Sequence, residues 1–215
     1  MSKSFYRQYG KRKFDILLSL MLIILLSPIM LVTSIFIKKE IGRPVVYKVK
    51  RPGKNCEIFT LYKFRSMTNE RDETGELLPD SERMTKIGKF IRKTSIDELP
   101  ELYNILRGDM SFVGPRPLSV KYIPYYTKEE NRRHEVTPGL TGLAQVNGRN
   151  NLNWEERFKY DIKYVENIKL TTDLLIILKT IKVSLSRKDV AVRGMGKTSD
   201  FHVYRLNQKG FKYEN

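Results

Sequence analysis

From Ile16 to Ile37 the chain runs for 22 residues without a charge. Wound as a helix at about 1.5 Å per residue, such a run reaches across the hydrocarbon core of a bilayer. It is too long for the apolar part of a secretory signal, and Lys38-Lys39-Glu40 follows it where a small-residue cleavage site would be needed. A single crossing satisfies the length. The flanks point elsewhere: Lys11, Arg12 and Lys13 precede the run, and Lys38, Lys39, Arg43, Lys48, Lys50 and Arg51 follow it. Basic residues mark the cytoplasmic side, so two basic ends argue for a helix that enters and leaves by one leaflet. Ser27-Pro28 lies near the middle. Proline removes one helical hydrogen bond and crowds the preceding turn, and the Ser27 hydroxyl is placed to satisfy a carbonyl freed at a depth without water. On these grounds a straight span and a bent, re-entrant helix both stay open.

Charge narrows the partners. Of the 215 residues, 40 are Lys or Arg against 24 Asp or Glu, a net charge of +16. That excess favours nucleic acid, anionic lipid or phosphorylated substrates, and the apolar segment selects the membrane among them. The lone Cys56 excludes an internal disulfide and fits a reducing compartment. With His134 and His202 the only histidines, a structural zinc site is excluded in practice, and any divalent ion would be a hard, oxygen-bound one such as Mg²⁺. His134, without a partner in sequence, reads as structural.

The pattern predicts a helix-dominated α+β fold in three parts: residues 1–40 as membrane helix with basic flanks, 41–187 as a cytoplasmic domain, and 188–215 as a polar, loosely held tail. Segments 44–49 and 57–62 read as a β-hairpin around Arg51-Pro52-Gly53. Residues 69–83 read as an exposed loop and 84–93 as a helix. A second helix opens at Ser95 to Pro100 and stops at Gly108. Stretches 112–118 and 137–150 read as proline- and glycine-punctuated loops. Helices follow at 154–167 and 172–186, the latter with Leu174, Leu175, Leu178, Ile181 and Leu185 on one face and Lys179, Lys182 and Arg187 alongside. Such a basic amphipathic helix suits a membrane surface, although packing on a core is the commoner use.

Asp97 and Glu98 are the residues most suited to chemistry, and they also have a purely structural reading. Ser95 with Glu98 three positions on has the spacing of a capping box, and acids belong in a first turn. Against that, a helix start attracts phosphate, and an Asp there can attack phosphorus while a neighbouring carboxylate holds a metal ion. Lys63 and Arg65 in Tyr62-Lys63-Phe64-Arg65-Ser66-Met67, Arg116 in Gly114-Pro115-Arg116-Pro117, and Arg149 in Asn147-Gly148-Arg149-Asn150 are loop cations. Arg116, stiffened by a proline on each side, is the best aimed of them at a phosphate. Pro138-Gly139-Leu140-Thr141-Gly142 can bring backbone close to a nucleotide or serve as plain turns, and its spacing fits no Walker or dinucleotide fingerprint.

In this order, Lys11-Arg12-Lys13-Phe14-Asp15, Ser27-Pro28, Lys63 to Met67, Asp97-Glu98-Leu99-Pro100, Gly108 to Pro117 and Pro138 to Asn150 closely resemble the monotopic phosphoglycosyl transferases, a family of bacterial sugar transferases. The likeness covers residues 10 to 187 and is to the short form, nearest to the enzymes that transfer diacetylbacillosamine phosphate. It implies a re-entrant helix broken at Ser27-Pro28 and placement on the cytoplasmic face of the bacterial inner membrane. It implies ping-pong transfer from a UDP-sugar to undecaprenyl phosphate, with Asp97 attacking the β-phosphorus, UMP leaving, and the phosphosugar held on Asp97. Asp97 and Glu98 would hold Mg²⁺, and Lys63, Arg65, Arg116 and Arg149 would bind phosphate or nucleotide. Asp173 matches a further acidic position associated with the site. The family often carries Gln where this chain has Glu101, a departure expected to leave the chemistry untouched, and the tail beyond Lys188 matches less well. Expected partners are UDP-sugar, undecaprenyl phosphate and anionic lipid. Self-association and contact with pathway glycosyltransferases are left open, as is N-acetylgalactosamine as the sugar.

Other classes fit less well. A membrane-tethered nucleic-acid binder would share the charge but has no recognisable motif here. A scaffold that has lost catalysis would not need an intact Asp97-Glu98 pair. A conventional glycosyltransferase would release UDP, and its usual Asp-x-Asp motif is absent.

Overall fold

The computed structural model describes residues 5–148, 152–185 and 200–208. A π-helical turn, Tyr6–Gly10, leads into α1, Lys11–Glu40, which stays helical through Pro28. Then come β1, Val46–Pro52; β2, Ile58–Phe64; α2, Asp80–Arg83; α3, Lys86–Lys93; α4, Glu101–Arg107; and β3, Ser111–Val113. They are followed by α5, Lys128–Asn131; β4, Gly139–Thr141; α6, Leu143–Asn147; α7, Trp154–Glu166; α8, Leu170–Leu185; and α9, Phe201–Leu206. The fold is α+β and dominated by helix, with two small two-stranded sheets: β1 antiparallel to β2, and β3 parallel to β4.

Helix α1 is apolar on nearly every side. Leu17, Leu20, Ile24, Leu25, Leu31 and Ile35 are all exposed, far more apolar surface than a water-facing helix carries. It is the one helix among the described residues long and apolar enough to cross a membrane. The missing Pro28 amide frees the Ile24 carbonyl four residues back, and the Ser27 hydroxyl donates to that same oxygen at 2.8 Å.

Both ends of α1 are fastened to the same globular body. At the start, Lys11 Nζ pairs with Asp173 at 2.6 Å and Arg12 donates to the Ile105 and Leu106 carbonyls that close α4. Buried Asp15 accepts the Phe112 amide at 3.1 Å. At the end, Ile37 is fully buried with Phe64 and Ile91, and Glu40 accepts the Lys86 and Ile87 amides that open α3. Between these anchors Leu18, Leu22, Ile23 and Leu26 pack on the main core, built from Leu61, Leu102, Ile105, Val113, Tyr164 and Ile176.

Several expectations need correction. The hairpin turn falls at 53–57, beyond Arg51-Pro52, because Asn55 supplies the positive φ a tight reversal needs, while Pro52 is tolerated at a strand end. Each proline- and glycine-punctuated loop contains regular structure: β3 and β4 pair with each other, and α6 follows. The pairing requires the bare backbone of Gly114 and Gly139, since a Cβ on Gly139 would lie 2.1 Å from the Gly114 nitrogen. Pro138 to Gly142 therefore brings backbone close to backbone. The tail expectation fails over 200–208, where Phe201 is completely buried in a cluster with Tyr122, Tyr126, Trp154 and Phe158. Isolated aromatics in a polar stretch carry no periodic signal, which is why this helix escapes a pattern reading.

Candidate active site

Three segments meet at the site, each for a local reason. The first is the end of β2, which carries Lys63. Asn104 of α4, completely buried, donates to Thr60 O at 2.7 Å and accepts from Tyr62 N at 3.1 Å, tying α4 to β2 one residue before Lys63. The second is the junction between α3 and α4. Ser95 adopts φ 57°, an unfavourable left-handed conformation for a residue with a Cβ. That kink ends α3 and starts a 3₁₀ turn, Ile96–Glu98, with α4 beginning only at Glu101. The third is the Gly114–Pro117 loop, held by the β3–β4 pairing and by Arg133. Arg133 donates to Arg116 O at 2.7 Å and is itself locked to Asp161 in a fully buried pair at 2.9 Å.

The expected Ser95–Glu98 capping box does not form, because no Ser95 side-chain bond caps the turn and Glu98 points elsewhere. One Glu98 oxygen receives Arg116 Nη2 at 2.6 Å and Lys63 Nζ at 2.8 Å. Lys63 is shared: it also sits 2.7 Å from Glu101 Oε1, and Glu101 is only 2 % exposed. The Glu-for-Gln departure thus lies inside the cluster, beside the residues expected to carry the chemistry. Its place in sequence, one helical turn after Glu98, was the signal that could have shown this.

Asp97 is placed differently. It is half-buried and has no hydrogen bond or ion pair among the described residues. Burial, and then the neighbouring charge of Glu98, push its carboxyl up to about 6, with Lys63, Arg92 and Arg116 pulling the other way. Burial also works against a charged Glu98, but Arg116 and Lys63 overcome it and hold that carboxyl far below the usual range. Glu101 is shifted the opposite way, raised by burial and by Glu98. Adjacent acids driven apart in this manner give one carboxylate locked as an anion and one poised to titrate, a pattern typical of functional sites.

The other candidate residues fall elsewhere. Arg65, largely buried, donates to Met67 O at 3.1 Å and Arg43 O at 3.0 Å, bracing backbone. Within the same motif Ser66 accepts from Arg92 at 2.9 Å, which holds Arg92 near Asp97. Asp173 is completely buried and accepts from Tyr6, Lys11 and Tyr164 at the foot of α1. Arg149 lies outside the described residues. His134 is buried, bonded to Asn131 at 2.9 Å, and pushed down to about 3 by burial and by Arg133, so it stays neutral.

No group of three His, Cys, Asp or Glu side chains suited to a metal occurs among the described residues. What remains is the adjacent pair Asp97 and Glu98, a hard oxygen donor set. Mg²⁺ commonly takes one or two carboxylates and fills its shell with water and substrate phosphate, so this pair fits it.

A carboxylate without a partner among the described residues, with cations near it on a body anchored to an apolar helix, suits a site for an anionic group. Comparison with known proteins gives the particular family. The chain belongs to the bacterial sugar transferases, whose family model matches residues 6–187. It is 48 % identical over 200 residues to an uncharacterized sugar transferase, EpsL, of Bacillus subtilis, covering 93 % of this chain and 96 % of that one. It is 40 % identical over 197 residues to the undecaprenyl-phosphate galactose phosphotransferase of Salmonella typhimurium, covering 84 % of this chain and 41 % of that protein. A UDP-N-acetylgalactosamine-undecaprenyl-phosphate N-acetylgalactosaminephosphotransferase of Aeromonas hydrophila matches at 39 % over 184 residues, 82 % of this chain and 44 % of that one. The chain thus spans less than half the length of these last two relatives.

Proposed function

We propose that this chain transfers a sugar 1-phosphate from a UDP-sugar to undecaprenyl phosphate, with Asp97 as the nucleophile. The observation that carries the reading is the contrast within the acid pair: Glu98 is held as an anion by Lys63 and Arg116, while Asp97 has no hydrogen bond or ion pair among the described residues. Ionised Asp97 attacks the sugar-side phosphorus, a carboxylate-oxygen-to-phosphorus bond forms, and the bond to UMP breaks. A phosphate oxygen of undecaprenyl phosphate then attacks the same phosphorus and frees Asp97, leaving the sugar on a polyprenyl diphosphate. Arg116 and Lys63 neutralise the diphosphate charge as it develops. Mg²⁺ held by Asp97 and Glu98 would add Lewis-acid stabilisation of the leaving UMP.

The same reading places the domain on the cytoplasmic face of the inner membrane, with α1 re-entrant. Its support is mechanical. A helix of 30 residues with both ends bonded to one body is better suited to returning both ends to one side of a bilayer than to crossing it. The outward Leu174, Leu175, Leu178 and Ile181 of α8 are exposed while Ile176 is buried, as a helix resting on the membrane surface requires.

For the sugar, diacetylbacillosamine or a related amino sugar is our first reading, on the motif likeness. A relative named for N-acetylgalactosamine supports that alternative, and one named for galactose adds a further one. The test is nucleotide release: purified protein, Mg²⁺ and a short polyprenol phosphate are incubated with a panel of UDP-sugars. UMP from one donor is expected, together with a sugar-phosphate mass on Asp97 when acceptor is withheld. UDP release would overturn the mechanism.

A further inference from the structure

Arg51 is the basic residue of the site that the sequence reading assigned to a turn. It stands inside β1, and the register places Arg51 opposite Phe59, Val49 opposite Leu61 and Tyr47 opposite Lys63. Residues two apart on a strand share a face, so Arg51 and Lys63 project from the same face of the hairpin. Their side chains line one cleft, together with Leu61, Glu101, Arg116 and Pro117.

The cations of this cleft differ in their pairing. Lys63 and Arg116 both reach Glu98, and Lys63 also reaches Glu101. Arg51 has no carboxylate within ion-pair distance among the described residues, and its one side-chain hydrogen bond goes to the neighbouring Lys50 carbonyl at 3.3 Å. Burial is the largest influence against its charge and nearby Arg116 adds to it, while Tyr47, Tyr122 and Glu101 offset it only in part. A partly desolvated guanidinium facing like charge is unfavourable unless an anion completes it. Its planar fork of donors is the group best matched to phosphoryl oxygens.

Position along the hairpin selects which phosphate. The Val46 and Phe64 end packs with Ile37 and Ile41, at the C-terminal end of the apolar helix α1. Arg51 lies five residues further along β1, about 17 Å beyond that end at strand spacing. Lys63 stands near the membrane end and Arg51 at the far end. A lipid phosphate arrives from the membrane, whereas a soluble nucleotide can reach the far end. We propose that Arg51 binds the nucleotide-side phosphate of the donor, with Lys63 and Arg116 on the reacting phosphate. This rests on the UDP-sugar reading above and adds to it the polarity of the donor in the cleft: uridine outward, sugar phosphate toward the membrane.

The test is calorimetric binding of UMP, with uridine as the phosphate-free control, to detergent-solubilised full-length protein in Mg²⁺ buffer. Wild type, Arg51→Gln and Arg51→Lys are compared, and the acceptor KM is measured on the same preparations. Arg51→Gln is expected to weaken UMP at least tenfold, leave uridine unchanged, and keep the acceptor KM within twofold. Arg51→Lys, with charge but no fork, should fall between and covers the case in which the Gln variant misfolds. UMP affinity equal to wild type in both variants would overturn the proposal. So would a raised acceptor KM with UMP binding intact, which would assign Arg51 to the lipid substrate. Wild type that ignores UMP would remove the donor reading itself, and the proposal with it.

Discussion

Asp173 and Glu98 each hold a lysine, and they do so in opposite ways. Asp173, completely buried, divides its two oxygens among Tyr6, Lys11 and Tyr164, at distances of 2.6 to 2.8 Å. No partner there is shared with a second acid, although the Tyr164 hydroxyl also lies 3.0 Å from the Val113 carbonyl. At Glu98 the arrangement is crowded: two cations converge on one oxygen, Lys63 is divided between Glu98 and Glu101, and Asp97 beside them has no partner among the described residues. The first pattern is what a structural anchor requires, since a buried charge persists only when fully paired. The second leaves cations only partly satisfied and an acid raised in pKa, a configuration that an arriving phosphate improves. Saturation therefore separates the group that fastens α1 to the domain from the groups offered to substrate.

Asp97→Asn tests the unsaturated side hardest. Turnover is expected to fall by about a thousandfold or more, since no carboxylate remains to attack phosphorus. Stability should move the other way. Asp97 titrates near 6 in the folded protein against 3.8 ordinarily, so folding favours its protonated form. The resulting deficit is absent below the ordinary value, grows as pH rises between the two, and is complete above about 6. The neutral Asn variant should melt a few degrees higher at pH 7.5, equivalent to about 1–2 kcal/mol after allowing for solvent screening, with the gap closing by pH 4. A variant that melts lower at pH 7.5 would mean that Asp97 is a satisfied structural acid, and the comparison would collapse.

The same contrast explains what could be read without coordinates. Asp97, Glu98, Lys63 and Arg116 stand in recognisable motifs, and the structure brings all four to one place. The long apolar helix, the hairpin and helices α3, α4, α7 and α8 follow from periodicity and punctuation within a few residues. What stayed hidden depends on tertiary contact. Nothing local to Ser95 announces that it will take a left-handed φ and cancel its own capping box. Nothing near Arg51 shows that it shares a cleft with Lys63, because that follows from the strand register. Glu101 was visible as a departure, but its weight appears only once Asn104 ties α4 to β2 and Lys63 reaches across. Phe201 buries itself in aromatics from two distant segments, residues 122–126 and helix α7, a contact no window of sequence contains.

On the saturated side, Asp173→Ala should cost stability and little else. It strands Lys11 beside the half-buried Tyr6 and buried Tyr164 hydroxyls, and breaking such a buried pair costs about 3 kcal/mol or more. The expected result is a melting temperature in detergent lowered by roughly 6–12 °C at two to four degrees per kcal/mol. Turnover per folded molecule should stay within threefold of wild type. Unchanged stability with a sharply raised donor KM would instead return Asp173 to the substrate site, as the family likeness suggests, and erase the distinction between anchor and site.

Glu101→Gln is the smallest and most informative change, because it edits the unsaturated cluster without touching either acid of the pair. Glu101 is already raised by burial and by Glu98, so a neutral side chain of the same shape resembles a state the native protein readily adopts. The stability change at neutral pH should therefore stay below about 1 kcal/mol. Lys63, now without its second carboxylate, falls wholly to Glu98, where it competes with any cation that Asp97 and Glu98 bind. Mn²⁺ titration followed by electron paramagnetic resonance should show metal affinity weakened about three- to tenfold, on the order of 1 kcal/mol, with kcat at saturating metal nearly unchanged. Adding Lys63→Met should abolish the difference, since Glu101 acts through that lysine and the two substitutions couple. A kcat loss beyond a hundredfold in Glu101→Gln would place Glu101 in the chemistry itself. Metal affinity that falls equally with and without Lys63 would reduce its role to a field felt at a distance.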